Sequence, residues 1–153
     1  MTKKQRICVF GTFDIIHLGH IRFLKSAKNL GGSNTELIVV IARDSSVQRL
    51  KNRNTVFGEE HRRQIVESLK PVEKAVLGDE GEDRFRVIEE VRPDLIVLGY
   101  DQWINEEDLK RILQKRFNWF IEVKTLPKYQ ITDGLNSSSA IRKRISTLTK
   151  FKK

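Results

Sequence analysis

The sequence predicts an α/β fold, a doubly wound parallel sheet of five strands with helices on both faces. Two observations carry this. The runs Leu37-Ile38-Val39-Val40-Ile41-Ala42 and Leu95-Ile96-Val97-Leu98 are apolar without alternation. Short apolar runs between turn signals read as strands buried on both faces, which is the signature of a parallel sheet. Strand-like and helix-like segments also alternate along the whole chain, as crossover connections require.

The elements follow in order. Residues 6–11 are a β run stopped by Gly11. Residues 18–30 are a helix with Leu18, Ile21, Leu24 and Ala27 on its inner face, and Gly31-Gly32 break it. The buried strand 37–42 comes next. Asp44-Ser45-Ser46 cap a short helix through Leu50, and residues 51–55 are polar, basic and irregular. Gly58-Glu59-Glu60 open a helix with Ile65, Val66 and Leu69 on one face, ended by Pro71. A third strand spans 72–77, an acidic loop 79–83, a helix 84–91 and a fourth strand 95–98. Asn105-Glu106-Glu107-Asp108 place acids at the positive end of a helix reaching Phe117. Residues 119–126 are a fifth strand, less apolar and therefore at an edge, and residues 138–148 are a last helix.

The 153 residues are read as one domain, 1–153, with 148–153 a basic tail. The net charge of +9 suits an anionic partner, either a phosphorylated small molecule or nucleic acid. Arg142-Lys143-Arg144 and Lys150-Phe151-Lys152-Lys153 hold part of that excess. Only Phe151 interleaves with the basic tail, which weighs against a nucleic-acid-binding protein. The apolar runs are far shorter than the roughly 20 residues of a membrane span. A single cysteine, Cys8, sits in an apolar run and reads as a core residue in a reducing compartment, the cytoplasm.

Ligands of such sheets bind beyond the carboxyl ends of the strands, at the topological switch point. The segments after Gly11, Ala42, Gly99 and Leu126 converge there. The first is Gly11-Thr12-Phe13-Asp14-Ile15-Ile16-His17-Leu18-Gly19-His20. Gly11 lets the backbone pass close to a ligand, and Gly19 lets a phosphate approach the unpaired N–H groups of a helix start. His17 and His20 lack further ligands at metal-binding spacing, which argues against zinc. Asp14 either orients a histidine, reaches a metal or satisfies turn N–H groups. The second segment is Gly99-Tyr100-Asp101-Gln102, and the third is Asn136-Ser137-Ser138-Ser139-Ala140-Ile141-Arg142, with hydroxyls at a helix start and an arginine one turn in. His61 lies outside these segments and reads as a helix-surface residue. Phe57, Trp103 and Trp119 read as core or interface residues.

The order Gly-Thr-Phe-Asp, two residues, His-Leu-Gly-His resembles the HxGH nucleotidylyltransferase superfamily. The Asp101 segment resembles its G-x-D loop, and residues 136–142 its late I-S-S-T-x-I-R signature, with Asn136 and Ser139 replacing isoleucine and threonine. Glu59-Glu60-His61-Arg62-Arg63 and Pro71-Val72-Glu73 resemble the E-x-x-R helix and V-D segment of the cytidylyltransferase-like branch, with Glu73 for aspartate. The wording as a whole looks most like the archaeal FAD synthases. The resemblance implies a Rossmann-like fold and transfer of AMP from ATP to FMN, with a divalent cation, Mg²⁺, on the triphosphate and no metal ligand from the protein. It implies catalytic roles for His17, His20 and Arg142, His20 being first choice for the α-phosphate. It implies a nucleotide site of Gly11, Thr12, Phe13, His17, Leu18, Gly19, His20, Asp101, Tyr129, Ser138 and Ser139. Asp14, Lys51, Arg53 and Arg62 are then the acceptor or phosphate binders, and a homodimer is expected. CMP transfer from CTP to glycerol 3-phosphate, or a non-catalytic binder of nucleotide or nucleic acid, stay open as alternatives.

Overall fold

The structure is a computed structural model and describes residues 3–150. Its elements are β1 (Gln5–Gly11), α1 (Leu18–Asn29), β2 (Thr35–Ile41), α2 (Asp44–Lys51), α3 (Glu59–Glu67), β3 (Lys74–Leu77), α4 (Arg86–Val91), β4 (Leu95–Leu98), α5 (Glu106–Arg116), β5 (Glu122–Thr125) and α6 (Ser138–Thr149). The strands pair in the order β3-β2-β1-β4-β5, every pair parallel. The chain walks outward from β1 to β3, then returns to lay β4 on the other side of β1. The switch point therefore lies between β1 and β4.

Alternate residues of the inner strands feed two cores. Ile7, Val9, Val39, Ile41 and Val97 pack with Leu24 and Ala27 of α1 and Val66 of α3. Cys8, Ile38, Val40, Ile96 and Leu98 pack with Val87 and Ile88 of α4 and Leu109 and Leu113 of α5. A strand buried on both faces has no polar side, so its sequence cannot alternate. β5 is the edge strand that its mixed sequence implied, with Lys124 and Thr125 exposed.

Several boundaries and roles differ from expectation. Leu18 is 47% exposed, because the first residue of α1 overhangs the strand ends instead of the core. Asp44 does not cap α2; Arg43 holds that position without a side-chain bond, and the Asp44 carboxylate turns to Arg62, Thr55 and the Glu59 N–H. β5 begins at Glu122, three residues after Trp119, whose indole N–H is spent on the Pro93 carbonyl. α6 runs to Thr149, through the start of the expected basic tail, and residues 151–153 lie outside the described residues. No helix among the described residues is long and apolar enough to cross a membrane.

Candidate active site at the switch point

A cleft of about 360 Å³ opens over the carboxyl ends of the strands. Gly11, Thr12, Phe13, Asp14, His17, Gly19, His20, Lys51, Arg53, Asp101, Tyr129, Ser138 and Ser139 all line it. Segments more than a hundred residues apart in sequence thus meet at one rim.

The two histidines close a reciprocal cap on α1. Nδ1 of His17 accepts the His20 backbone N–H at 3.4 Å, and Nδ1 of His20 accepts the His17 N–H at 3.3 Å. Their rings stack with centroids 3.7 Å apart. An Nδ1 that accepts carries no proton, so each neutral ring holds its proton on Nε2. Burial lowers the pKa of His17 below the ordinary histidine value. Burial, with the neighbouring His17 and Lys51, lowers His20 to about 3 against the pull of Asp14. Both rings are therefore neutral Nε2–H donors near pH 7. The Leu18 and Gly19 N–H groups, with no carbonyl one turn back to receive them, complete an anion site at the positive end of the helix.

Two glycines are explained by contact. A Cβ on Gly19 would lie 2.9 Å from His17 Cε1 and 3.2 Å from the Asn136 carbonyl oxygen. The residue thus serves the histidine cap and the approach of the 136–138 segment. A Cβ on Gly11 would lie 2.6 Å from Phe13 Cε2, so the space expected for a ligand is taken by the Phe13 ring.

The loop between β1 and α1 is strained. Phe13 and Ile15 both have positive φ, 53° and 52°, a conformation especially unfavourable for a β-branched residue. Between them Asp14, 2% exposed, accepts from the Val56 and Phe57 N–H groups at 2.7 and 3.0 Å and from Arg142 Nη2 at 2.9 Å. Burial raises its pKa, but these three donors outweigh it and hold the carboxyl below the usual range. The Asp14 carbonyl also accepts the Ser138 hydroxyl at 2.6 Å. Asp14 therefore fastens the loop before α3 and the start of α6 to the histidine segment. Three of its roughly four lone-pair sites are committed to the protein, so Asp14 holds loop N–H groups and Arg142, a correction to its expected role toward acceptor or phosphate.

Arg62 requires a larger correction. It is fully buried and donates to the carbonyls of Phe57, Thr12 and Ala42 and to the Asp44 carboxylate, at 2.7–2.9 Å. It binds loops where it was expected to bind a phosphate. Arg142 is not on the cleft wall: its Nη2 serves Asp14 and the Asn54 carbonyl, while its buried Nε has no partner. Leu18 is also absent from the lining as a side chain. Lys51 does face the cleft and donates to the Thr12 hydroxyl at 3.2 Å. Desolvation and the Arg53 charge lower its pKa, while Asp101 acts in the opposite sense.

Sequence reasoning missed Arg43, Leu50, Arg84, Phe85 and Ile104 on the cleft wall, and took Trp103 for a core or interface residue. Trp103 lines the cleft, whereas Phe57 packs on exposed His61 and Trp119 on Phe117, both off its wall. The available signal was position: these residues follow the ends of β2, β3 and β4. The described residues hold no group of three or more His, Cys, Asp or Glu able to bind a metal.

Comparison with known proteins places this geometry in a family. The cytidylyltransferase-like family model matches residues 8–144. A protein of Korarchaeum cryptofilum named FAD synthase is 45% identical over 94% of this chain and 93% of its own length. Another FAD synthase, from Aciduliprofundum boonei, is 46% identical over 89% of this chain and 87% of its own. A crystal structure from Thermoplasma volcanium, titled a lipopolysaccharide core biosynthesis protein, superposes with a TM-score of 0.75 at 40% identity, covering 82% of this chain and 98% of that one. With the histidine cap at a helix start, the switch-point cleft and these relatives together, the chain belongs to the cytidylyltransferase-like family of nucleotidyltransferases, among the relatives named FAD synthase.

Proposed function

We propose that this enzyme transfers AMP from ATP to FMN, giving FAD and pyrophosphate. The identity of the acceptor is supported by the relatives named FAD synthase. The chemistry is supported by one observation above the rest, the pair of neutral Nε2–H donors at the N-terminus of α1. An FMN phosphate oxygen attacks the α-phosphorus in line. The new O–P bond forms as the bond to the β-phosphate oxygen breaks, and pyrophosphate leaves with the electron pair. The nucleophile is already an anion, so no covalent enzyme intermediate and no general base are needed. The protein's task is positioning and charge stabilisation.

His20 donates to the oxygens of the α-phosphate as charge builds there, and His17 and the Leu18 and Gly19 N–H groups hold the adjoining phosphates. Lys51 and Arg53 bring positive charge to the acceptor phosphate. The Ser139 hydroxyl and the backbone N–H groups of Ser138 and Ser139 at the start of α6 meet the departing pyrophosphate, and Arg142, bonded to Asp14 and the Asn54 carbonyl, positions that helix start from outside the cleft wall. Asp101 and Tyr129 border the nucleoside. Enzymes with this activity generally use a divalent cation; we take it to be Mg²⁺, which neutralises charge on the triphosphate. The match over residues 8–144 supports one catalytic domain. The lone buried thiol of Cys8 supports a reducing cytoplasm. We also propose a homodimer on the resemblance to this branch, which light scattering would read as twice 17.8 kDa.

The experiment is incubation of the pure protein with ATP or CTP and with FMN or glycerol 3-phosphate, following pyrophosphate and product. FAD from ATP and FMN is the expected result. Pyrophosphate only from CTP and glycerol 3-phosphate would replace this reading with the cytidylyltransferase one.

A further inference from the structure

The histidine cap, the serines and the lysine leave one arm of the cleft unused. It is built from segments after β2, β3 and β4. Leu50, Phe85, Trp103 and Ile104 wall it, and Val40 and Ile88, the top of the second core, lie at its floor. Trp103 is 57% exposed there and belongs to neither core. The Arg84 guanidinium lies 4.2 Å over its ring, and Phe85 is tilted against it at 6.0 Å. Gln102 stands at the rim, its amide nitrogen donating to the Phe10 carbonyl at 2.9 Å, which leaves its oxygen as an acceptor.

We propose that this arm seats the isoalloxazine ring of the flavin acceptor, stacked against Trp103. The proposal rests on the reading of FMN as acceptor. An isoalloxazine has one apolar, methylated edge and one edge of carbonyls and an N–H. The apolar floor suits the first, and the Gln102 oxygen suits the second, while Arg84 backs one face of the Trp103 ring and leaves the other for the flavin. Leu50 and Lys51 are consecutive, so the wall of the arm passes directly into the cation that faces the Thr12 hydroxyl. Lys51, His17 and His20 line the same cleft as the arm, so a ring seated there can extend its ribityl phosphate to them. Glycerol 3-phosphate has no flat apolar part to fill such a space.

The test measures Kd for FMN and for riboflavin, by quenching of flavin emission, and KM for FMN and ATP, in wild type and Trp103→Ala. Trp103 lies outside both cores, so the variant keeps its fold, checked by its melting temperature. Riboflavin lacks the phosphate and reads the ring contact alone. The substitution is expected to weaken both flavins about ten-fold, the loss typical of one aromatic stacking partner, and to leave KM for ATP unchanged. Unchanged flavin affinity, or a rise in KM for ATP instead, overturns the seat while FAD formation by the wild type leaves the function standing. A wild type that binds no FMN and forms no FAD overturns both.

Discussion

Asp14 and Arg142, 128 residues apart, share a hydrogen-bonded ion pair at 2.9 Å in which the carboxylate is almost fully buried and the arginine one-third exposed. The pair joins the strained loop after β1 to the helix that carries the serines. It fixes the distance between the starts of α1 and α6, the two halves of the proposed phosphate site.

Arg142→Ala leaves the Asp14 carboxylate with two backbone donors. Loss of a charge-assisted bond to a buried group costs about 1.5–3 kcal/mol, and the exposure of Arg142 places this case at the low end. The Asp14 pKa is lowered in the folded state, so its contribution is full above the unfolded value near 4 and fades as pH falls through the folded value. Urea unfolding is expected to show the full penalty at pH 7 and a smaller one at acid pH. An equal penalty at both would show that the carboxylate charge is not involved.

His20→Asn separates capping from catalysis. The Asn oxygen occupies the place of Nδ1 and can accept the His17 N–H, but nothing replaces Nε2–H. Removing one such donor typically lowers kcat by about 10²–10³-fold. The variant is expected to melt close to wild type yet turn over at that reduced rate, and His20→Ala to lose both. Wild-type turnover by the Asn variant would remove His20 from the chemistry.

The same residue predicts a pH dependence of stability. Folded His20 titrates near 3, unfolded histidine near 6.5. Below about pH 6.5 the unfolded chain gains a proton that the folded one refuses, so stability falls by up to ~1.4 kcal/mol per pH unit. Unfolding free energies from pH 7 to 4.5 should slope less steeply in His20→Asn. In activity, kcat/KM should show no ionisation of His20 between pH 6 and 8.

Gly19→Ala places a methyl against the His17 ring and the Asn136 carbonyl. The flexible side yields, so the His17 ring swings out and the cap opens. Turnover is expected to fall at least ten-fold with a melting temperature a few degrees lower. Crystallography of the variant would show the ring displaced.

Arg62→Lys tests the buried arginine. An ammonium has three donors and no fork, and four acceptors surround the guanidinium. About 2–3 kcal/mol of stability should be lost by urea unfolding. Much of the fall in activity should be recovered on cooling, since the defect lies in holding the loops.

The strand runs, the helix starts and the strand-end glycines were legible along the chain because local periodicity and turn chemistry act over a few residues. That is why the β4 run coincides with the observed strand and why His17, His20, Lys51, Asp101 and Ser138 were found as cleft residues. The inner and outer roles of the charged residues were not legible. Arg62 and Lys51 are both basic, close in sequence and both plausible on a phosphate. One is fully buried and holds carbonyls, the other faces the cleft. Only the folded chain brings Thr12, Ala42 and Phe57 around Arg62, because those carbonyls come from three loops. Trp103 was missed for the same reason: exposure is set by what packs nearby, and Arg84 and Phe85 leave that ring 57% exposed.

By itself, then, the sequence determined a parallel α/β sheet and a histidine helix start at the end of its first strand, since both follow from side-chain chemistry at short range. The tertiary structure decided which charges meet a ligand and which hold the loops. That choice depends on desolvation and on hydrogen-bond partners supplied by residues far away in the chain.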